Sequence, residues 1–388
     1  MSQQAVGLPR GARWHRAAAD PRSAACALAL GTVVTLGVLD GGYYESAWRY
    51  AGIAFVAAGG IQLLLGRGVT PGRLDLLTLS AFASLAALTL LSALWGIAGT
   101  EAIREAERCT LYVVGLATLL VVAQPSTIRA LLNGVLGGAV VLAAFGIVDR
   151  VASAPTLDPY QGSLLKEPVG YANALGLLMA LGVVLALGLL CDTHGIQRVA
   201  LTAAAATCAV ALLLTSSRGA WLSALVGLGV LAAMRCRRPP VAAAIASAGV
   251  VIVLLAAPRI ALGDRPAYWS VAIADASEHV VLGSGAGSFD DYWLEHRPIP
   301  AYVRDAHNLY LETVAELGIV GLALLLCAIG TPLVTAVRVR ERKIVATAAA
   351  GYSAFLVHAG LDWDWEMPVT TLAGLTCGAA LLVAARTP

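Results

Sequence analysis

Apolar residues occur along this chain in long uninterrupted runs of roughly membrane-spanning length, separated by short polar segments. A run of about 20 apolar residues is long enough for a helix to cross lipid. Backbone amides in hydrocarbon must pair within their own segment, and the runs lack the alternation of barrel strands, so helices are the predicted elements. The pattern predicts twelve spans, each bounded to within a few residues, at 23–39, 48–66, 75–95, 107–124, 130–148, 170–190, 199–215, 220–234, 241–257, 309–337, 344–360 and 368–385.

A single long polar segment, 258–306, interrupts this pattern between the ninth and tenth predicted spans. It contains the arginines Arg259, Arg265, Arg297 and Arg304, and it ends where the tenth span begins. Charge held at a membrane surface is costly and is commonly functional. We therefore interpret residues 1–388 as one polytopic membrane domain in which the loop 258–306 carries part of the active site.

Composition supports this all-α membrane class. The chain has 59% hydrophobic and only 13% charged residues, and its mean hydropathy is +0.78, well above the values of a soluble domain. The net charge of +2 gives no sign of a nucleic-acid partner, because the basic residues lie mainly in short loops where membrane topology accounts for them. We exclude nucleic acid as a partner.

The loop charges also predict the orientation in the membrane. Clusters of arginine lie in the N-terminal segment and in alternate loops, including Arg235 with Arg238, and Arg338 with Lys343. Positive loops mark the cytoplasmic side, so both termini are expected inside and the loop 258–306 outside the cytoplasmic membrane.

Of the 26 Lys and Arg residues, the predicted topology places ten outside. They are Arg49, Arg104, Arg108, Arg150, Lys166, Arg218, Arg259, Arg265, Arg297 and Arg304. Arginines at an interface can simply extend toward water. Several on one face instead suggest an anionic ligand that approaches from outside, and the guanidinium group suits bidentate contact with phosphate.

Arg218 lies in a very short predicted turn, TSSRGAW at 215–221, between two apolar spans. An arginine so close to hydrocarbon needs a partner. The alternative to a ligand is a structural carboxylate, for which Asp362 and Glu167 are the candidates.

Two further groups in the loop suggest chemistry. Arg265 is followed by Tyr268 and Trp269, aromatic residues that could pack against a sugar or an isoprenoid, whereas the glycine cluster at 283–289 alone indicates only a turn. His307 with Asn308 opens the tenth span, where a neutral imidazole could accept a proton from a hydroxyl or could serve only as an interfacial anchor.

These motifs together resemble the O-antigen ligase and O-antigen polymerase superfamily. His307-Asn308, nine residues and then Gly318-x-x-Gly321 match the HNx9GxxG motif of that family at every fixed position. The turn around Arg218 and the segment from Arg265 to the glycine cluster look like its two arginine segments. The turn at 40–44 and the segment at 170–173 are similar to those of actinobacterial members.

The resemblance implies a GT-C-like, metal-independent glycosyltransferase that uses an undecaprenyl-diphosphate-linked glycan at the outer membrane face. Carried over by position, Arg218 and Arg265 would hold the diphosphate and His307 would act as base or orient the acceptor hydroxyl. Tyr268, Trp269, Arg304 and Asn308 are the further predicted substrate contacts. Transfer is expected to invert the anomeric centre, and no cofactor or metal is predicted.

Three functions remain open from the sequence. A ligase would transfer a finished glycan to a glycan, lipid or protein acceptor, and a polymerase would join lipid-linked repeat units. A flippase would move the same intermediate without chemistry, but transporters usually contain internal repeats and mid-membrane charges, which this sequence lacks. The acidic segment DWDWE at 362–366 could hold a divalent cation. We favour an aromatic belt there, with its acids facing the arginines.

Overall fold

The computed structural model describes residues 20–66, 68–152, 161–236 and 263–386. These residues form α-helices and short 3-10 turns, with no β-strand among them. The helices in chain order are α1 Pro21–Val38, α2 Glu45–Leu64, α3 Arg73–Leu91, α4 Gly99–Val122, α5 Ile128–Ala152, α6 Ala172–Leu190, α7 Ile196–Thr215, α8 Arg218–Arg235, α9 Arg265–Glu278, α10 Phe289–His296, α11 Leu309–Arg338, α12 Lys343–Ala359 and α13 Pro368–Ala384.

A helix overlaps each predicted span except 241–257, which lies outside the described residues. The all-helical prediction is therefore confirmed for the part of the chain that the structure describes. Six of these helical segments are long and apolar enough to cross a membrane. They are Pro21–Val38, Arg73–Leu94, Pro125–Ala152, Ala172–Leu190, Ile196–Thr215 and Leu309–Arg338. The count of twelve spans remains a prediction.

The core of the bundle is built around α13, in which every residue is buried. This helix packs against α1, α4, α5, α11 and α12. Small residues make this close packing possible: a Cβ added at Gly374 would lie 2.3 Å from the ring of Phe355 on α12. Lipid tails are as apolar as the helices, so contact of this kind, rather than a hydrophobic driving force, holds membrane helices together.

The predicted loop is not irregular where it is described, from Gly263 onward. It contains α9 and α10, and both pack on the first part of α11. We call these two helices the cap. Val271, Phe289 and Trp293 form a small, separate apolar core within the cap. The indole N–H of Trp293 donates to the carbonyl of Ala301 at 2.9 Å, which fastens the chain between α10 and α11.

Gly318 is the point where the cap and α11 meet most closely. Its φ of +65° interrupts the regular helix, and an added Cβ would lie 2.2 Å from the carbonyl oxygen of Val281. The next amide, of Ile319, donates to the carbonyl of Val280 at 2.9 Å. Gly318 thus brings α11 against loop backbone rather than against another helix. At Gly321 the nearest atoms belong to Leu317 of the same helix.

Candidate active site

The predicted site residues lie at helix ends. Arg218 is the first residue of α8, Arg265 is the first of α9, and His307 precedes α11. The end of α12 lies beside the start of α11, because the Asn308 side-chain amide donates to the carbonyl of Gly360 at 2.8 Å. The motif residues are therefore distributed over several helix ends, and tertiary contacts must bring them together.

Asn308 caps α11. Its side-chain oxygen accepts from the amides of Tyr310 and Leu311, both at 3.1 Å, which satisfies two of the orphan donors of the first turn. The predicted start of the helix at Leu309 is confirmed. Both polar ends of the side chain are thus used within the protein, and Asn308 contributes to the site by fixing α11 and α12 rather than by offering a free group.

His307 is held in one orientation just before the capped helix. Its backbone adopts φ +54°, in the left-handed region that few side chains occupy. Its Nδ1 lies 3.0 Å from the carbonyl oxygen of Asp305, and since a carbonyl can only accept, Nδ1 carries the proton. In the neutral imidazole Nε2 is then the proton acceptor. The ring lies 5.4 Å from that of Tyr268 and 6.1 Å from that of Trp363.

Arg265 is anchored by a buried carboxylate. Its Nη2 donates to Asp362 Oδ2 at 2.8 Å, and the Asp362 side chain is only 3% exposed. The hydroxyl of Tyr171 and the amide of Asn173 also donate to Asp362, at 2.9 and 2.6 Å. Burial alone would raise the pKa of Asp362, but the charge of Arg265 is the main cause that lowers it below its ordinary value. Asp362 is therefore ionised and fixes the position of the Arg265 guanidinium group.

Arg218 differs in that its guanidinium group pairs with no residue within the described ranges. The helix it opens is capped by Ser217, whose hydroxyl accepts from the amide of Ala220 at 3.3 Å. The Arg218 side chain is exposed and makes no hydrogen bond or ion pair with any residue that the structure describes. The alternative partner Asp362 is bound to Arg265 instead, so the structural pair considered from the sequence does not form there.

A buried His–Asp pair lies directly behind the Arg218 turn. His358 Nδ1 is 2.6 Å from Asp364 Oδ2, and both side chains are almost fully buried. His358 Nε2 has no hydrogen-bond partner among the described residues, and an added Cβ on Gly219 would lie 3.4 Å from it. His358 was not among the predicted site residues, although an ionisable residue inside a predicted span is a recognised pointer to function.

The acidic segment 362–366 faces cations, as predicted, with one difference. Asp362 meets Arg265, and Glu366 lies 3.2 Å from the buried Arg108. Asp364 pairs with a histidine rather than an arginine. The structure thus disperses the acids of this segment among separate partners.

A second acidic cluster lies beneath His307. Carboxylate oxygens of Asp305, Glu312 and Glu366 lie within 4.8 Å of one another, and Glu312 accepts from the amide of Ala306 at 2.7 Å. Burial raises the pKa of Asp305 to about 6, and burial together with the charge of Asp305 raises that of Glu366 well above its ordinary value. These three groups offer enough oxygens to ligate a cation, or they can share protons. Glu312 and Glu316 lie on one face of α11, and this face lines an internal cavity of about 40 Å³.

Arg304 lies on the other side of His307, within a network of ion pairs. It donates to Glu101 at 2.8 Å, and Arg104 bridges Glu101 and Glu45. Arg49 in turn contacts Glu45 at 3.0 Å and Glu107 at 2.6 Å. Several of the arginines predicted to lie outside thus pair with neighbouring glutamates, whereas Arg218 pairs with no described residue.

The aromatic residues after Arg265 pack within the cap. Tyr268 stands edge-on to Trp293 with ring centroids 5.1 Å apart, and it also borders His307. Trp269 is half-buried. The amides of Ser284 and Gly285 in the glycine cluster donate to the carbonyls of Ala315 and Glu316 on α11, at 3.0 and 2.8 Å. The glycine cluster thus forms hydrogen bonds with the backbone of α11 at these positions.

These observations define the class: a multi-pass helical membrane protein in which Arg218, Arg265 and His307 lie at the starts of helices. A family model described as O-antigen ligase matches residues 203–326. The matched segment includes Arg218, Arg265 and His307, and it confirms the resemblance to the O-antigen ligase and polymerase superfamily. A search of curated proteins gives no match.

Proposed function

We propose that this protein transfers a glycan from a polyprenyl-diphosphate donor to an acceptor hydroxyl at the outer face of the cytoplasmic membrane. The observation that carries this proposal is the meeting of a fixed cation, Arg265 on Asp362, with an oriented imidazole, His307, inside a family-matched segment. Arg218, whose guanidinium group pairs with no described residue, is the first residue of the neighbouring helix α8. The family supports polysaccharide synthesis by a ligase or a polymerase, and both use this chemistry.

The reaction follows from these groups. The acceptor oxygen forms a bond to the anomeric carbon of the glycan while the bond from that carbon to the diphosphate oxygen breaks, and the diphosphate leaves with the bonding electrons. The proton of the acceptor hydroxyl passes to Nε2 of neutral His307, whose Nδ1–H group continues to donate to the carbonyl of Asp305. Direct attack inverts the anomeric centre.

The arginines stabilise the charge that grows on the departing diphosphate. Arg265 is already oriented by Asp362, so it loses little freedom when the reaction occurs. Arg218 is exposed and can move onto the phosphates when the donor binds. Two cations that interact more strongly with the leaving group than with the bound donor lower the barrier. The same pair of charges supplies what a metal ion would otherwise provide, which accounts for the expected metal independence.

The role of His307 can be tested by measuring donor binding and transfer separately. With a lipid-diphosphate glycan donor in nanodiscs, His307→Ala should abolish transfer while leaving donor affinity nearly unchanged, because the diphosphate is held by the arginines. Full activity should persist in a chelator.

The matched control is His296→Ala, since His296 lies on α10 and its Nδ1 is 3.0 Å from the carbonyl of Tyr292. This variant should keep transfer. Retained transfer in His307→Ala would reduce His307 to an interfacial anchor, and lost donor binding would place it in the diphosphate site.

A further inference from the structure

A short apolar turn joins α9 to the glycine cluster, within the loop that the sequence predicts to be polar and external. It consists of Val280, Val281 and Leu282, and all three residues are exposed, with Val281 61% accessible. A run of exposed large apolar side chains is unfavourable in water and marks a surface that meets something else. The turn therefore suits an apolar medium.

The turn lies against α11 at the point where the uncharged part of that helix begins. The amide of Ile319 donates to the carbonyl of Val280 at 2.9 Å, and Ile319 is itself exposed. The stretch 319–337 contains no charged residue, and its length of about 20 residues matches the thickness of the hydrocarbon core. Because Arg338 ends this stretch on the predicted cytoplasmic side, Ile319 marks its outer edge.

A second helical segment reaches the same place. Arg73–Leu94 is also long and apolar enough to cross a membrane, and α3 packs on α11. Just beyond it, an added Cβ on Gly96 would lie 2.9 Å from Cα of Gly285 in the glycine cluster. Leu94 and Ile97, on either side of Gly96 in sequence, are both exposed. We call the turn at 280–282 together with Leu94 and Ile97 the apolar rim.

The backbone that follows the turn has its amides paired within the protein. Irregular backbone at membrane depth is tolerated only under this condition. Five amides of the glycine cluster donate to protein acceptors at distances between 2.8 and 3.1 Å. They are those of Gly283, Ser284, Gly285, Ala286 and Phe289, which donate to the carbonyls of His279, Ala315 and Glu316, the Ser92 hydroxyl and the Glu316 carboxylate, in that order. This segment can therefore leave water without leaving these amides unpaired.

We propose that the apolar rim is inserted among the acyl chains of the outer leaflet, so that the cap rests on the bilayer instead of standing in water. The occupant is lipid hydrocarbon, because the rim is uncharged and continues the exposed apolar surface of α11 at the outer edge of its uncharged stretch. Arg265 is at the other end of α9 from the turn, so this contact fixes the end of the cap helix opposite Arg265. Such an insertion would form whichever reaction the protein catalyses.

The accessibility of a nitroxide label tests the occupant in the full-length protein in nanodiscs. The label is attached through a genetically encoded ketone side chain in place of Val281, which leaves the native cysteines unchanged. Molecular oxygen concentrates among acyl chains, whereas a nickel chelate stays in water. The ratio of oxygen to chelate accessibility at Val281 should be close to that at Val334, on the exposed face of α11, and several-fold higher than at Glu295, an exposed residue of α10.

Two results would overturn the proposal. A label at Val281 that the chelate reaches as readily as it reaches Glu295 would show that the turn lies in water. A label that neither reagent reaches would show that a protein partner or a second copy of the chain covers the turn. Leu282, which is also exposed, provides a second labelling position if replacement of Val281 impairs folding.

A charge placed on the turn gives an independent readout. Val281→Asp is unfavourable in lipid, and because the turn is hydrogen-bonded to α11, exchange of the Ile319 amide with deuterium should become faster in nanodiscs. Val281→Thr has nearly the same size without a charge and should leave exchange close to that of the unaltered protein. An aspartate at so exposed a position would be harmless in water, so unchanged exchange in Val281→Asp would contradict insertion into lipid.

Discussion

The starts of α8 and α9 present two arginines in opposite circumstances. Arg265 is bound to a buried, ionised Asp362 that itself accepts from Tyr171 and Asn173. Arg218 is exposed and has no ion-pair partner among the described residues. A preoriented cation acts mainly on the transition state, whereas a mobile cation gains its contacts as the ligand binds. Under the proposed function, we expect Arg265 to serve catalysis and Arg218 to serve capture of the donor as well.

The largest expected effect is at the fixed arginine. Arg265→Ala should lower kcat by about 10²–10³, the loss typical of removing one preorganised charge stabiliser, with a smaller change in donor KM. Steady-state assays with a lipid-diphosphate glycan donor measure both constants. The control is Arg297→Ala in the same cap, since Arg297 only donates to the carbonyl of Ala301 at 3.1 Å. A loss confined to KM would mean that Arg265 acts in binding alone.

Replacing the exposed arginine, Arg218, should change kcat and KM in different proportions from replacing Arg265. Arg218→Ala should lower kcat/KM by about 100-fold, with a clear increase in donor KM because the ligand-induced contacts are lost. Arg218→Lys should recover only part, since an ammonium group cannot make a planar bidentate contact. Arg304→Lys, at an arginine already paired with Glu101, is the comparison substitution and should be mild. Identical changes in kcat and KM for Arg218→Ala and Arg265→Ala would contradict different roles for the two arginines.

A moderate effect should come from loosening the fixed arginine without removing it. Asp362→Asn keeps the shape of the side chain but removes the charge that orients Arg265, and kcat should fall about tenfold, less than in Arg265→Ala. The double variant Asp362→Asn with Arg265→Ala should be no slower than Arg265→Ala alone, because Asp362 acts through Arg265. Additive losses would give Asp362 a separate role.

The smallest expected effect concerns the acidic cluster beneath His307. The pKa of Asp305 is raised by burial to about 6, above the value of about 3.9 for an unperturbed aspartate. A raised folded-state pKa favours the protonated form, so its contribution to stability is present below pH 4 and is lost as the pH rises through 6. Asp305→Asn should therefore raise the Tm at pH 8 by about 2 °C more than at pH 5. A larger gain at pH 5 would contradict this sign.

The fold could be predicted in outline because it depends on one property, the length of the uninterrupted apolar runs. Backbone amides in lipid leave only helices for such runs, and a helix overlaps every predicted span within the described residues. The cap helices α9 and α10 were not predicted, since their apolar core is formed by residues of two short helices and a turn rather than by one long run.

For the site, the motif residues and the start of α11 at Asn308 could be predicted, because spacing and capping are local properties. Which carboxylate meets which cation depends on contacts between distant segments and could not be predicted. Asp362 was available to either Arg218 or Arg265 by sequence, and in the structure it pairs with Arg265 at the start of α9. The same holds for His358 with Asp364, since such contacts depend on how the helices pack and leave no periodic signal in the chain.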